Sequence, residues 1–248
     1  MIIDCNVGFG HWPFARFAED TPAKLDRMLE SDGIDAALVS SAEAVLYEEP
    51  EECNEELSKR LSRHPRLVCV PVANPRLRSA ESIIARPGLK AVKLIPNYHG
   101  CSLRDDRAVG LCEKAAARGI PVLVQMRVED ERSHYELLKV PGVPVDDIIA
   151  LAGRVPALAV VALCPYFGEA VRLAQAANVY VDMSFVETLD TLGQLCAKAL
   201  AGKVLFGSHA PWFYPRAAVA KLELSTIGDA DRETIGWRTA SRLFGIAT

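Results

Sequence analysis

The stretch Pro121-Val122-Leu123-Val124-Gln125-Met126 carries the pattern that decides the fold, because it is almost wholly apolar and rich in β-branched residues. A second stretch, Val160-Val161-Ala162-Leu163, has the same character. Continuous apolar runs of this length are typical of parallel strands that are covered by helices on both faces. Amphipathic segments separate these runs, so the chain repeats a unit of one strand and one helix.

Eight strands of this kind can be marked along the 248 residues. Their predicted ranges are 2–7, 35–40, 67–72, 91–95, 121–126, 158–163, 179–183 and 204–207. The spacing between successive strands leaves room for a crossover helix, which parallel pairing requires. We therefore expect the α/β class and a single (β/α)8 TIM barrel, formed as one domain over residues 1–248.

Helix ends can also be read from the sequence. Thr21 followed by Pro22 predicts the N-terminus of the first helix, which ends at Gly33. The other predicted helices cover residues 51–63, 105–118, 146–154, 169–177, 189–201, 217–224 and 229–244. In such a barrel the chemistry takes place where strands end and the following loops begin.

Composition excludes several classes of protein. The net charge is −4 with both signs scattered, and no glycine-rich phosphate loop follows a strand, so no nucleic-acid or nucleotide site is expected. The longest uncharged run, residues 155–168, is too short to cross a membrane. The seven cysteines lack a C-x-x-C pair, and the N-terminus lacks a signal-peptide pattern. We expect a cytoplasmic protein with reduced thiols that binds a small-molecule substrate, with a homo-oligomer left open.

Polar and aromatic side chains gather at the predicted strand ends. Four of the five histidines lie in or just after such loops, and only His64 lies at the opposite end of the barrel. The candidate site residues at these ends are Asn6, His11, Lys93, Tyr98, His99, Gln125, Arg127, Cys164, Tyr166, Ser184, His209 and Trp212.

Several stretches resemble a known family in the same order along the chain. Ile3-Asp4-Cys5-Asn6-Val7-Gly8-Phe9-Gly10 resembles the first strand of the amidohydrolase superfamily, in its amidohydrolase-related branch, where the usual pattern is Ile-Asp-x-His-x-His-x-Gly. Phe206-Gly207-Ser208-His209-Ala210-Pro211 resembles that branch's Phe-Gly-Ser-Asp-x-Pro. Residues 91–94, 121–125 and 156–164 are similar to its fourth, fifth and sixth strands, and residues 240–246 to its closing helix. The resemblance implies an amidohydrolase-like barrel over the whole chain.

The family's metal ligands are replaced at every position that the resemblance aligns. Its two first-strand histidines fall on Asn6 and Gly8, its fifth- and sixth-strand ligands on Gln125 and Cys164, and its eighth-strand aspartate on His209. Amide oxygens are poor partners for zinc, and glycine offers no side chain. We therefore expect no cofactor and a metal-independent protein.

A divalent metal such as zinc in a new site is the alternative to this expectation. His11, His99 and His209 are the residues that would form it, because imidazole nitrogens are common zinc ligands.

His209 and Lys93 are the predicted catalytic residues. An imidazole in the place of the family's aspartate can transfer a proton, and we favour this role over the alternative, a histidine that is buried and satisfied against Trp212. Lys93 lies in a buried strand, where a charge is costly unless it is paired or faces the barrel mouth. It could hold an anionic oxygen, or it could pair structurally with Asp182 or Glu187.

The other candidates also have two interpretations each. Asn6 and Gln125 either orient a substrate or form a polar plug inside the barrel. Arg127 either binds a substrate carboxylate or pairs with Glu129 or Asp130 on the rim.

Cys164 is either a nucleophile or small apolar packing. Ser184, His11 and His99 are assigned to substrate binding because of their positions at strand ends. Aromatic residues either line a pocket or pack the loops together, and they are Trp12, Tyr98, Tyr166, Trp212 and Tyr214.

The resemblance implies a hydrolase of a small carboxylated lactone, ester or amide, with His209 transferring the proton. In this hypothesis Lys93 and Arg127 hold anionic oxygens. One alternative is a non-catalytic barrel that binds a small molecule or a protein partner, and another is a decarboxylase of the same superfamily. The polar residues kept at Asn6, Gln125 and His209 argue against simple decay of the site.

Overall fold

The computed structural model describes residues 1–247, apart from the side chain of Ser133. Eight parallel strands lie within this range, and each falls on a predicted strand with ends that differ by a few residues. The strands are β1 (Ile3–Phe9), β2 (Ala36–Ser41), β3 (Leu67–Cys69), β4 (Val92–Leu94), β5 (Val122–Gln125), β6 (Val160–Leu163), β7 (Val179–Asp182) and β8 (Val204–Leu205).

Hydrogen bonds just beyond the strand ends close the barrel. Strands β1 to β3 form one parallel sheet and β4 to β8 form another. The backbone nitrogen of Gly8 in β1 donates to the carbonyl of Ala210 after β8, at 2.7 Å, and that of Lys93 in β4 donates to the carbonyl of Pro71 after β3, at 2.9 Å. These bonds join both pairs of sheet edges, so the fold is the predicted (β/α)8 TIM barrel.

Helices cover the outside of the barrel. They are α1 (Pro22–Ser31), α2 (Glu51–Leu61), α3 (Ser79–Ala85), α4 (Asp106–Ala117), α5 (Val145–Arg154), α6 (Phe167–Leu173), α7 (Thr191–Cys196), α8 (Pro215–Leu224), α9 (Asp229–Glu233) and α10 (Thr239–Phe244). Thr21 caps α1 as predicted, because its hydroxyl accepts from the backbone nitrogen of Lys24 at 3.3 Å. Within residues 1–247 no helix has the length and apolar character to span a membrane.

Two helical segments differ from the prediction. The sequence does not predict α3, because its seven residues form only two turns and bury only Ala80, Ile83 and Ile84. The predicted helix over 229–244 is α9, a π-helical turn at Thr234–Arg238 and α10. The extra residue per turn in the π-helical segment is invisible to a search for a period of 3.6.

Apolar side chains fill the barrel and seal both of its ends. Leu38, Leu123 and Val161 belong to the cluster inside the strands, and Phe244 of α10 joins that cluster at the end where the strands begin. A separate cluster at the opposite end consists of Trp12, Ala44, Val45, Val72, Ile95 and Val128, with Phe17, Tyr98 and Trp212 packed against it. We call this second group the mouth cluster, because it lies where the strands end and the active sites of such barrels are found.

Candidate active site

A buried lysine and a buried aspartate face one another across an asparagine below the mouth cluster. The ammonium of Lys93 in β4 donates to Oδ1 of Asn6 in β1 at 3.4 Å, and Nδ2 of Asn6 donates to Oδ2 of Asp182 in β7 at 2.8 Å. None of the ion pairs described in residues 1–247 involves Lys93. The direct pairing with Asp182 or Glu187 is therefore replaced by a bridge through the amide of Asn6.

Cys164, which follows β6, accepts hydrogen bonds from the same group of residues. Nδ2 of Asn6 donates a hydrogen bond to its Sγ at 3.2 Å, and Nε2 of Gln125 donates another at 3.0 Å. The hydroxyl of Ser184 donates to Oδ2 of Asp182 at 2.8 Å and lies 3.4 Å from the same sulfur. Four predicted site residues, Asn6, Gln125, Cys164 and Ser184, thus come together in one network.

Asp4 and Asp182 are buried acids that were not among the predicted site residues. Oδ1 of Asp4 accepts from the backbone nitrogens of Asn6 and Ser208, both at 3.0 Å, whereas its Oδ2 has no hydrogen-bond partner within residues 1–247. Gly207 makes room for the other acid, because a Cβ at that position would lie 2.7 Å from Oδ2 of Asp182. Both acids could have been found by the signal that identified Lys93, because each is a charged residue in a buried strand.

Burial shifts the proton affinities of these groups strongly. Loss of water lowers the pKa of Lys93 to about 8 and raises that of Asp4 to about 7. The pKa of Asp182 is raised for the same reason. Burial also raises the pKa of Cys164 to about 12, so its thiol is protonated at neutral pH and its role as a nucleophile gains no support.

His209, after β8, is buried and is held by a hydrogen bond at the edge of its ring and by stacking on one face. Its Nε2 donates to the carbonyl of Val128 at 2.6 Å, and its ring stacks on Trp212 with 4.9 Å between centroids and 13° between planes. Burial lowers its pKa to about 3, so the imidazole is neutral at pH 7. The ring packs against Trp212 as the structural alternative expected, but its Nδ1 has no hydrogen-bond partner in the described part of the chain. Its role in proton transfer stays a prediction.

His209 and Cys164 share an unusual backbone conformation. Their φ angles are 58° and 61°, in the left-handed region that residues other than glycine rarely adopt. Such strain costs of order 1–3 kcal/mol per residue and tends to gather at functional sites. Cys164 directly follows β6 and His209 lies in the loop after β8, at the end of the barrel where the sequence placed the site.

Trp212 fills the space beside Gly8. A Cβ built on Gly8 would lie 2.2 Å from Cζ3 of the indole, so the ring rests against the bare backbone of β1. Trp12 meets the same indole edge-on, with ring centroids 5.5 Å apart. The resemblance aligns a histidine ligand with Gly8, and here an aromatic ring lies where that side chain would be.

A small void remains between Trp212 and the polar residues below it. Its volume is about 10 Å³, room for about one water molecule. Lys93, Gln125, His209 and Trp212 line it. Three of these residues have a buried polar atom without a hydrogen-bond partner among the described residues, namely Oε1 of Gln125, Nδ1 of His209 and Nε1 of Trp212. Buried polar atoms without partners are uncommon, and they often mark a place for a ligand or water.

Arg127 is held by another side chain of the chain itself. Its guanidinium binds the carboxylate of Glu169 with two hydrogen bonds of 2.8 and 2.9 Å and lies 3.9 Å from the ring centre of Tyr166. Its partner is therefore Glu169 instead of Glu129 or Asp130. Binding of a substrate by Arg127 or Tyr166 stays a prediction, since this contact would have to open first.

The remaining predicted residues lie around the mouth. Nε2 of His99 donates to the carbonyl of Ala44 at 2.9 Å, and Tyr98 packs on the mouth cluster, where burial raises its pKa to about 12. His11 is exposed and binds Glu43 through its backbone nitrogen at 3.0 Å. Their roles in substrate binding stay predictions.

A larger cavity opens on the outer side of the mouth cluster. Its volume is about 600 Å³, and its lining includes Trp12, Phe17, Arg16 and Arg60. Trp12 lines this outer cavity and also contacts Trp212, which lines the inner void. The two indoles therefore separate a space of substrate size from the buried polar centre.

The fold and the position of this centre define a class of protein, the (β/α)8 barrels that carry a polar site at the carboxyl ends of their strands. The amidohydrolase family model matches residues 10–246, and the chain therefore belongs to the amidohydrolase family. No curated protein matches the sequence.

Solved structures with this fold include several decarboxylases. The 5-carboxyvanillate decarboxylase from Sphingomonas paucimobilis is 16% identical, with 99% of each chain covered and a TM-score of 0.75. A dihydroxybenzoic acid decarboxylase from Polaromonas sp. is 17% identical, with 98% of this chain and 96% of that chain covered and a TM-score of 0.75. The 5-carboxyvanillate decarboxylase from Novosphingobium aromaticivorans is 12% identical, with 99% and 96% covered and a TM-score of 0.76. At these identities the likeness establishes the fold.

The expectation of a protein without a cofactor is wrong in the light of these structures. The enzymes from Polaromonas and Novosphingobium aromaticivorans were solved with bound manganese, which points to a divalent metal as the cofactor in barrels of this kind. Replaced ligands at the aligned positions show where the usual site has changed, but they do not show that a barrel lacks an ion.

The donors at this barrel centre nevertheless do not fit such an ion as they are arranged here. Gly8 offers no donor, the indole of Trp212 lies beside it, and Lys93 adds a positive charge. Across residues 1–247, no three or more His, Cys, Asp or Glu side chains lie close enough together to hold a metal. The alternative zinc site from His11, His99 and His209 is likewise not formed. The roles proposed below belong to the chain's own side chains.

Proposed function

We propose that the protein is a decarboxylase of a small aromatic carboxylic acid, which reacts at the void beside Lys93. The observation that carries this proposal is Lys93, a residue that is 7% exposed and lines the void, and whose ammonium makes one hydrogen bond, of 3.4 Å, to the described residues. A buried cation with so few partners is costly, and a bound carboxylate would satisfy it.

Lys93 supplies two things that loss of carbon dioxide needs. Its positive charge stabilises the electron pair that remains on the ring carbon when the bond to the carboxyl carbon breaks. Its ammonium then gives a proton to that carbon, which yields the ring product, carbon dioxide and a neutral amine. Because burial lowers the pKa of Lys93 to about 8, the amine regains its proton from water near neutral pH.

The surroundings of Lys93 support the same reaction. Asn6 holds the ammonium on one side and is itself fixed by Asp182, so the position of the charge is set before a substrate arrives. Val45, Ile95 and Val128 of the mouth cluster line the void with apolar side chains, which keeps water away from a bound carboxylate. A carboxylate without its water shell loses carbon dioxide more readily, because the charge of the transition state is more dispersed.

Decarboxylation accounts for this centre better than hydrolysis does. Hydrolysis needs a base that activates water, and His209, with a pKa of about 3, is a weak one. Decarboxylation needs a cation and a proton donor, and Lys93 is both. The solved structures of the same fold that are named decarboxylases favour this choice over the hydrolase.

The experiment that tests the proposal measures carbon dioxide released from 5-carboxyvanillate and from a series of dihydroxybenzoates. Manganese is added to one set of reactions, because related barrels bind it. We expect release of one carbon dioxide per molecule of decarboxylated product. Hydrolysis of matched esters, lactones or amides without any release from the acids would contradict the proposal.

A non-catalytic barrel that binds a small molecule is the second candidate. The observation in its favour is the mouth cluster itself, because Trp212 and its neighbours leave a void of only about 10 Å³ at the centre. Binding of the same acids without any turnover, with or without manganese, would favour this candidate over the decarboxylase.

A further inference from the structure

Three properties of Trp212 set it apart from an ordinary core residue. Its ring lies flat on His209, it rests against Gly8 where any Cβ would collide with it, and its Nε1 has no hydrogen-bond partner among the residues that the structure describes. An indole nitrogen that is buried for structural reasons usually finds an acceptor. Trp212 is also only half-buried, so it has a route to solvent.

The atoms around the indole describe what would bind there in its place. The ring of His209 offers a flat surface to an aromatic ring, and Oε1 of Gln125 needs a donor such as a hydroxyl group. Lys93 needs an anion, since its single hydrogen bond is 3.4 Å long. A planar ring that carries one carboxylate and one hydroxyl group meets all three needs, whereas the indole meets only the first.

We propose that Trp212 occupies a ligand pocket of its own barrel, and that a planar hydroxylated aromatic acid binds by displacing its side chain. This inference rests on the proposed function for the class of ligand. The displaced indole leaves Gly8 and His209 and moves toward the outer cavity, with which Trp12 already connects it. The ring of the ligand then stacks on His209 with its carboxylate at Lys93.

The test uses 2-hydroxybenzoate as the probe and protein labelled with nitrogen-15 in its three tryptophans. Single Trp→Phe variants assign the indole signals of Trp12, Trp212 and Trp237. As the probe saturates the protein, we expect the indole signal of Trp212 to shift. We also expect its N–H proton to exchange with solvent. The signal of Trp237, in the π-helical turn at the other end of the barrel, is expected to stay in place.

Affinity provides the second measurement. Calorimetry is expected to show at least about tenfold tighter binding of 2-hydroxybenzoate to Trp212→Ala than to the wild type, because no indole has to be displaced. Trp212→Phe is expected to lie between them and serves if the alanine variant does not fold. Trp237→Phe is the matched control, with the affinity of the wild type.

Three results would overturn the displacement of Trp212. They are saturation by the probe with an unmoved Trp212 signal, equal affinity in the wild type and the Trp212 variants, and no binding to the wild type. None of these depends on turnover. A protein that binds the probe by displacing Trp212, yet releases no carbon dioxide from any acid, would refute the decarboxylase and leave the pocket established.

Discussion

Replacing Lys93 by methionine is expected to lower kcat for decarboxylation by at least about 100-fold, the usual effect of removing one charge-stabilising donor from an active site. Methionine has nearly the same length but no charge and no proton to give. The reaction would therefore lose both the stabilisation of the electron pair on the ring carbon and the group that protonates it. Carbon dioxide release under saturating acid measures the effect.

The same substitution is expected not to lower the free energy of unfolding. Burial shifts the pKa of Lys93 from 10.5 to about 8, so the folded protein holds this charge at a cost of about 3 kcal/mol at pH 7. An apolar side chain of similar volume removes that cost. Stability that rises while activity disappears would mark Lys93 as a functional residue.

Lys198→Met is the matched control, because Lys198 is exposed after α7 and its ammonium makes none of the hydrogen bonds or ion pairs described for the centre. It should keep both the activity and the stability of the wild type. Retention of full activity by Lys93→Met would remove Lys93 from the mechanism. A large loss of stability together with activity would indicate a structural role instead.

Asp4→Asn is expected to change how stability depends on pH. Burial raises the pKa of Asp4 from 3.8 to about 7, so the folded state binds this proton more tightly than the unfolded state does. Asp4 therefore costs the wild type no stability below pH 3.8, and the cost grows as pH rises toward 7. The shift of about 3 pKa units corresponds to about 4 kcal/mol.

Asparagine does not titrate, and its Oδ1 can still accept the two backbone donors that Asp4 binds. The variant should thus resemble the wild type near pH 4 and become more stable than it by up to about 4 kcal/mol near pH 8. Denaturant unfolding at several pH values measures this difference.

The comparison between the two proteins cancels the opposite contribution of His209. Its pKa is lowered from 6.5 to about 3, so its burial costs stability at low pH, and this cost disappears as pH rises through that range, in both proteins alike. Glu55→Gln, at an exposed carboxylate with no hydrogen bond or ion pair among the described residues, serves as the control for a change in net charge. A stability difference that is independent of pH would show that folding does not raise the pKa of Asp4.

The barrel could be predicted because the sequence pattern that specifies each of its strands is local. Each strand is a short apolar run such as that of β6, and amphipathic segments separate the runs, so eight repeats define the architecture without any knowledge of contacts. The helix α3 carries too few turns for its period to show. The strand ends also located Lys93, Asn6, Gln125, Cys164 and Ser184, because a parallel barrel brings all such ends to one rim.

The arrangement of the side chains around Lys93 could not be predicted, because it depends on contacts between distant parts of the chain. Asn6 separates Lys93 from Asp182, residues that the sequence places 89 positions apart, and no local pattern shows such a bridge. The position of Trp212 in the space beside Gly8 likewise depends on tertiary contacts. Cofactor use was predicted wrongly, since the absence of the usual ligands was taken as the absence of an ion.

The most direct test of the decarboxylase runs the reaction in deuterium oxide. The proton that Lys93 gives to the ring comes from solvent, so each product molecule should carry one deuterium at the carbon that held the carboxyl group, in equal amount to the carbon dioxide released. The Lys93→Met variant should form neither. Full occupation by 5-carboxyvanillate or a dihydroxybenzoate that is recovered unchanged, without carbon dioxide or deuterium in the ring, would contradict the account.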